Sequence, residues 1–138
     1  MPSSDLTIGV EEEYQIINPE TRELRPRVAR VLPEAQRTLG DEVTTEFFQA
    51  QIEIGTPICG SLAEVRAALV RLRRGVADAA EHGGCRIVAA GTHPFSTWEG
   101  QPVTPKPRYL DLRDDFQQLA REQIIFGCHV HVGIADRD

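Results

Sequence analysis

The sequence predicts a layered domain of the α+β or α/β class, with helices on one face of a sheet, and three observations carry that expectation. Stretches rich in β-branched residues alternate with stretches whose apolar residues recur every three or four positions, giving strand, helix, strand, helix, strand, helix, strand. The 138 residues, 41% hydrophobic and 26% charged, have the make-up of one ordinary globular domain. Finally, two of the strands carry glutamates or histidines at alternate positions, so one sheet face is acidic and unsuited to lie beneath a helix.

Leu6 to Ile17 reads as the first strand, closed by the turn-forming Asn18-Pro19, with Thr21 to Arg25 returning as a short arm. Val28, Val31, Leu32, Ala35 and Leu39 follow at helical spacing, and Gly40 stands where a helix C-cap belongs. Proline lacks the donor that a helix interior needs, so Pro33 places the helix start near Leu32. Val43 to Ile54, rich in Thr, Phe and Ile, reads as one strand stopped by Gly55-Thr56-Pro57. Ser61 and Glu64 have the spacing of a capping box, which opens a helix through Leu62, Val65, Leu69, Leu72, Val76 and Ala79. Gly83-Gly84 ends it. Cys85 to Ala90 is short and apolar, as a strand buried on both faces would be. A long loop with four prolines, Gly91 to Pro107, leads to an amphipathic helix over Tyr109 to Gln123 through Leu112, Phe116, Leu119 and Ala120. Ile124 to Ile134 reads as the last strand.

Charge and composition exclude several classes of function. The net charge of -6, from 15 Lys+Arg against 21 Asp+Glu, does not suit a nucleic-acid binder, and no basic run offsets it. No run of 18 apolar residues marks a membrane span, and Met1-Pro2-Ser3-Ser4-Asp5 lacks the basic start and apolar core of a signal peptide, so a cytoplasmic location is expected. Cys59, Cys85 and Cys128 are odd in number and lack CxxC spacing, which predicts buried thiols rather than a disulfide framework or zinc ribbon.

Side chains two apart on a strand share a face, so Glu11 and Glu13 point one way and His129 and His131 share a face of the last strand. Glu12 points the other way and calls for a partner or a strand margin. Alternation puts Gln49, Gln51 and Glu53 on one face and Glu46 on the opposite one, unless a bulge or bend intervenes. Carboxylates with open positions suit hard cations such as Mg²⁺ or Mn²⁺, and imidazole broadens the choice toward Mn²⁺ or Zn²⁺. Taken alone, three adjacent glutamates read equally as a hydrated strand face, and a lone HxH as a hydrogen-bonded pair; together the strands favour a site. His93 reads either as a site residue or as a brace for its loop, and Phe95 and Trp98 as a lid or as loop anchors. Cys59 has no base nearby in sequence to activate it.

Four motifs then stand in order and register: Gly-Val-Glu-Glu-Glu-Tyr at 9–14, Gln-Ile-Glu-Ile-Gly-Thr-Pro at 51–57, Ala-Gly-Thr-His-Pro-Phe at 90–95 and Gly-Cys-His-Val-His-Val-Gly at 127–133. The sequence resembles, from Thr7 to about Asp138, the carboxylate-amine ligase branch of the glutamate-cysteine ligase family. That resemblance implies a glutamine-synthetase-like α+β fold, with a mainly antiparallel sheet curled around the active site and helices packed behind. It implies ATP-dependent formation of a γ-glutamyl amide through an acyl phosphate, with Mg²⁺ or Mn²⁺ as cofactor, ATP as co-substrate, and glutamate with cysteine or another amine as substrates. Glu11, Glu13 and Glu53 match the family's metal ligands, Glu46 a nearby acidic position, and His129 a histidine of the metal and substrate site. His131, beside it on the same face, is assigned more loosely to substrate binding, and Gln51 and His93 are further substrate-binding candidates.

Members of this family are much longer, so residues 1–138 are expected to be a single domain, the N-terminal part of a longer catalytic domain and inactive alone. No phosphate loop of the GxxxxGK type is present. An open sheet edge after the last strand predicts association, for instance as a homodimer. Two other classes stay open: a metal-dependent hydrolase using the HxH pair, and a non-catalytic module derived from a ligase.

Overall fold

The computed structural model describes residues 6–122 and 124–134. The expected features at 1–5, 123 and 135–138, and the side chains of Leu119 and Ala120, lie outside the described residues. The elements are β1 (Thr7–Ile17), α1 (Val28–Leu39), a 3-10 turn (Gly40–Glu42), β2 (Val43–Thr45), β3 (Gln51–Gly55), α2 (Leu62–His82), β4 (Arg86–Val88), α3 (Pro107–Arg121) and β5 (Cys128–Gly133). Every strand pairing is antiparallel. With its two central helices on one face, the domain is α+β rather than α/β.

Strand β1 is the axis of the sheet. On one edge β3 pairs with it through Glu11↔Gly55, Glu13↔Glu53 and Gln15↔Gln51, and β2 lies beyond β3. On the other edge β5 runs beside residues 7–12 and β4 beside residues 15–17. Helices α1 and α2 cover one face, where Ile16, Val31, Ile52, Ile54, Leu72 and Val76 are fully buried; each such side chain contributes about 1.5–3 kcal/mol by leaving water. The helices approach closely because Gly75 has no side chain, since a Cβ there would lie 2.8 Å from a Leu39 methyl.

Several local expectations hold. Ser61 Oγ accepts from the Glu64 N–H (3.3 Å), and the Glu64 carboxylate reaches back to the Gly60 N–H (2.8 Å), a reciprocal cap displaced by one residue from the simplest capping box. Gly40 follows α1 at the expected C-cap position, with φ 58° and ψ -132°, a backbone conformation that favours glycine, and its N–H donates to the Gln36 carbonyl. The arm after Asn18 returns beside β1, with Leu24 bridging to Ile17.

Four local expectations are corrected. Residues 43–54 form a hairpin, β2 and β3, instead of one strand. Phe47 and Phe48 pack off the sheet with Tyr109 and Ile124, and Gln51 Oε1 accepts from the Phe48 N–H (3.2 Å), so the chain reverses there. Helix α1 begins at Val28 with Pro33 inside it, because Val28, Val31, Ala35 and Leu39 all face the core while Pro33 is exposed. Strand β4 has three residues, exposed or half-buried, because it flanks only the end of β1. Strand β5 starts at Cys128, since Ile124 and Phe126 are buried in the segment that leads to it. Helix α3 is kinked at Gln117.

Glu12 points to the helix-covered face and is buried there, where it pairs with Arg73 of α2 and accepts from the Tyr14 hydroxyl. Arg73, with a smaller contribution from Tyr14, holds its carboxyl below the ordinary value of 4.5. Arg73→Ala leaves that charge unpaired; the expected loss is about 2 kcal/mol near neutral pH, moderated because the arginine side chain is 54% exposed. A depressed carboxyl pKa stabilises the fold above its unfolded value and ceases to do so as pH falls through the folded value. Urea unfolding at several pH values is therefore expected to show the gap between wild type and Arg73→Ala shrinking as pH falls below about 4.

Candidate metal centre

The face of the sheet away from α1 and α2 gathers the polar residues. Glu11 and Glu13 are two apart on β1 and share this face; their cross-strand partners, His129 and Glu53, point the same way, as does His131, the partner of Gly9. Two clusters result. Glu11, His129 and His131 form one, and Glu13, Glu46 and Glu53 the other, with the potential ligand atoms of each within 4.8 Å of one another.

Glu46 reaches this face because of the hairpin. Strict alternation along a continuous strand would have sent it to the opposite face, but β2 turns back on β3 so that Thr44 opposes Glu53, and Glu46 follows two residues later. Its carboxylate accepts from the Tyr109 hydroxyl (3.4 Å), and its backbone carbonyl accepts from Thr104 Oγ1 (2.6 Å). Glu13 is tied to the segment before β5: its N–H donates to the Gly127 carbonyl, and the Gly127 N–H donates to Glu13 Oε2, each at 3.0 Å. Gly127 also leaves room for the His129 ring, whose Nε2 would lie 3.1 Å from a Cβ at that position.

The second cluster is short of positive charge. Burial first, then the charges of Glu46, Glu11 and Glu13, pushes the Glu53 carboxyl up to about 7. Burial also raises Glu46, with Glu13 adding to it, and burial followed by Glu46 and Glu53 pushes Tyr109 up to about 12. Glu11 behaves oppositely: its hydrogen bond with His131 keeps it below the ordinary range. His131 Nε2 lies 3.0 Å and His129 Nδ1 3.5 Å from Glu11 Oε2.

A cavity of about 460 Å³ opens beside the acidic cluster. Its lining combines Glu13, Glu46 and His129 with the apolar Phe47, Leu112, Phe116, Ile125 and Phe126. No Lys or Arg lines it among the described residues. All-oxygen, mutually repelling, half-buried carboxylates are a donor set suited to Mg²⁺ or Mn²⁺.

The remaining sequence candidates are placed differently. Gln51 lines the cavity, but its side chain bridges backbone: Nε2 donates to the Ile125 carbonyl (2.8 Å) while Oε1 holds Phe48. His93 stands apart from both clusters and braces its loop, with Nε2 2.9 Å from the Arg22 carbonyl and Nδ1 accepting from the Ser96 N–H (2.8 Å). Trp98 packs against the Phe47, Phe48 and Tyr109 cluster, whereas Phe95 is exposed. Cys59 and Cys85 are buried as expected; Cys128 is exposed, a correction that follows from its place on an open strand. Sequence reasoning did not identify Phe47, Leu112 and Phe116 as walls of the cavity, or Tyr109 as the partner of Glu46. The signal available was an aromatic directly after Glu46 and the i, i+4 pair Leu112 and Phe116, which read as an ordinary helix stripe.

The profile of glutamate-cysteine ligase family 2 (GCS2) matches residues 7–138. A protein of Herpetosiphon aurantiacus named "Putative glutamate-cysteine ligase 2" is 44% identical over 137 residues, which are 99% of this chain and 36% of that protein. A protein of the same name from Sorangium cellulosum is 45% identical over 134 residues, 96% of this chain and 36% of its own length. This chain thus spans about a third of the curated relatives it matches. Among solved structures, a Francisella tularensis glutamate-cysteine ligase in complex with AMP superposes with a TM-score of 0.75 at 15% identity, over 95% of this chain and 27% of that one. At that identity the likeness establishes the shared α+β fold. No helix among the described residues is long and apolar enough to cross a membrane. On the profile match across nearly its whole length, the chain belongs to glutamate-cysteine ligase family 2.

Proposed function

We propose that the chain supplies the cation-binding part of an ATP-dependent carboxylate-amine ligase site of the glutamate-cysteine ligase type. The observation that carries this reading is the convergence of Glu13, Glu46 and Glu53, two of which, Glu13 and Glu46, line a cavity with no basic residue in its described lining. On this reading the three carboxylates hold Mg²⁺ or Mn²⁺, with Glu11 and His129 bordering the ion on the same face. A bound cation would neutralise phosphate oxygens while the γ-phosphoryl group of ATP passes to a carboxylate, the first half of forming a γ-glutamyl amide through an acyl phosphate.

The chain's own residues do the positioning. Gly127 fixes Glu13 through one bond to its backbone N–H and one to its carboxylate, Tyr109 orients Glu46, and the sheet register holds Glu53 opposite Glu13. The apolar wall of Phe47, Leu112, Phe116 and Phe126 keeps water from one side of the cavity and accommodates the body of a small amine such as cysteine. Residues 1–138 act, on this reading, as the N-terminal part of a longer cytoplasmic catalytic domain. The relatives named above are nearly three times as long, and the basic residues that grip the nucleotide are assigned to that further length.

Four outcomes are expected. Calorimetric titration of the 138-residue chain with Mn²⁺ should give one site that Glu13→Gln or Glu53→Gln weakens at least about tenfold; unchanged affinity in both variants would sink the metal assignment.

Second, a raised carboxyl pKa favours the fold below its unfolded value, here 4.5, and the benefit is lost as pH rises through the folded value near 7. Metal-free protein is therefore expected to lose on the order of 1–2 kcal/mol between about pH 5 and pH 7 once solvent screening is allowed for. Thermal melts should show this loss flattened by Glu53→Gln and reversed by millimolar Mg²⁺.

Third, phosphate release from ATP with glutamate and cysteine should stay at background for this chain alone and appear in a family-length protein, where Glu53→Gln abolishes it. Association through the outer edge of β5, which pairs only with β1 among the described residues, would show as dimer in the same preparation by sedimentation velocity.

A further inference from the structure

We propose that the acceptor amine of the ligase site is an apolar primary amine, bulkier than cysteine and without an α-carboxylate, held in the cavity that Glu46 and Phe116 line. The inference deepens the ligase reading and rests on it.

The cavity is too large and too apolar for cysteine. Its volume of about 460 Å³ lies in the range of pockets that enclose drug-sized ligands, about 300–1,000 Å³. A cysteine side chain, one methylene and one thiol, leaves most of the apolar lining in water. Phe47 and Phe126 are themselves buried, whereas Leu112, Phe116 and Ile125 are 39%, 55% and 60% exposed at the same cavity. One such side chain on a surface means little, but three that meet two buried rings at one hollow make a contiguous apolar surface of the kind that binds a ligand. Part of that surface is preformed. Phe47 is held edge-on by Phe48 at 4.8 Å and by Tyr109 at 5.9 Å, so a ligand need not order it on binding.

The polar groups of the lining decide which chemistry enters. Glu13 and Glu46 attract an ammonium group, and nothing beside them attracts a carboxylate. Gln51 engages both ends of its amide, with the Ile125 carbonyl and the Phe48 N–H, and the Gly127 N–H is taken by Glu13. Arg113 lines a separate hollow beside Trp98, and Arg108, whose charge acts on Glu46, stands outside the lining. The α-carboxylate of an amino acid would therefore lie unpaired among like charges, which selects against it. A monoamine with an aryl or branched alkyl body avoids that repulsion and covers the apolar wall.

The amine enters as its ammonium form and sheds one proton to water. Its lone pair attacks the carbonyl carbon of the acyl phosphate, the C–N bond forms as the C–O bond to phosphate breaks, and phosphate leaves with that electron pair and a second proton from nitrogen.

The test uses a family-length protein that contains this chain. Phosphate release from ATP with glutamate is measured with phenethylamine, phenylalanine or cysteine as acceptor, and the amide is identified by mass spectrometry. Phenethylamine is expected to exceed cysteine in kcat/KM at least about tenfold, and phenylalanine, the same body with a carboxylate, to fall below phenethylamine by a similar factor. Phe116→Ala should lower kcat/KM for phenethylamine at least about tenfold, mainly through KM, and that for cysteine by less than about twofold, with Phe116→Leu restoring most of the loss. A merely structural defect would lower both acceptors together. Preference for cysteine, equal use of phenylalanine and phenethylamine, or an acceptor ratio unchanged in Phe116→Ala would overturn the assignment and leave the ligase reading standing. No phosphate release with any acceptor would overturn both.

Discussion

The alternation of side chains along β1 is the constraint on which the rest of this structure depends. With neighbours on both edges, that strand cannot rotate or slip without breaking ladders to β3, β4 and β5 at once. Each residue is thereby committed to a face. Val10, Tyr14 and Ile16 go beneath the helices, and Glu11 and Glu13 go to the open side. Glu12 is the cost of placing three glutamates in a row, because the middle one must enter the covered face. Arg73 and the Tyr14 hydroxyl make that burial tolerable, and in doing so they fix α2 against the sheet and lock the register that aims Glu11 and Glu13 outward.

The two faces therefore treat the same side chain in opposite ways. Glu12 is held below its ordinary range by a guanidinium, while Glu53, equally part of the sheet, is pushed up to about 7 by burial and by carboxylates around it. Paired charge marks the scaffold and unpaired charge marks the site, which is the distribution expected where a cation, and not a side chain, is to supply the balance. The backbone bonds between Glu13 and Gly127 and the contact from Tyr109 to Glu46 hold the repelling groups in place. Such rigidity is required, because carboxylates free to move apart would relieve their repulsion without a cation.

Much of this was legible in the sequence because it obeys fixed periods. Glu11 with Glu13, and His129 with His131, share faces by the two-residue repeat alone, and α2 was announced by its cap, stripe and paired glycines. What stayed hidden depended on tertiary partners. Residues 43–54 have continuous strand propensity, and only the pocket that receives Phe47 and Phe48 makes the chain reverse there. Without that reversal Glu46 falls on the wrong face by counting. Pro33 argued for a late helix start, yet four core contacts on its helix outweighed one missing hydrogen bond. His93 could not be assigned from sequence, since a bracing histidine and a binding one have the same local pattern; its partners, the Arg22 carbonyl and the Ser96 N–H, are distant or loop-dependent.

The hairpin turn also explains why acidic and apolar surfaces meet at one place. Glu46 and Phe47 are consecutive, so a turn that brings Glu46 to Glu53 necessarily swings Phe47 toward α3, where Tyr109 meets it edge-on at 5.9 Å. The same Tyr109 ring that anchors Phe47 carries the hydroxyl that contacts Glu46. The cavity wall and the ligand cluster thus share one hinge of side chains, and neither can be displaced alone. Burial, with neighbouring carboxylates adding to it, raises Glu46 and Glu53, whereas Glu11 is kept low by its hydrogen bond with His131. On the proposed reading, a substrate lying along that wall would exclude water from Glu13 and Glu46 and tighten their hold on a cation, so that occupancy of the cavity and of the cation cluster would favour one another.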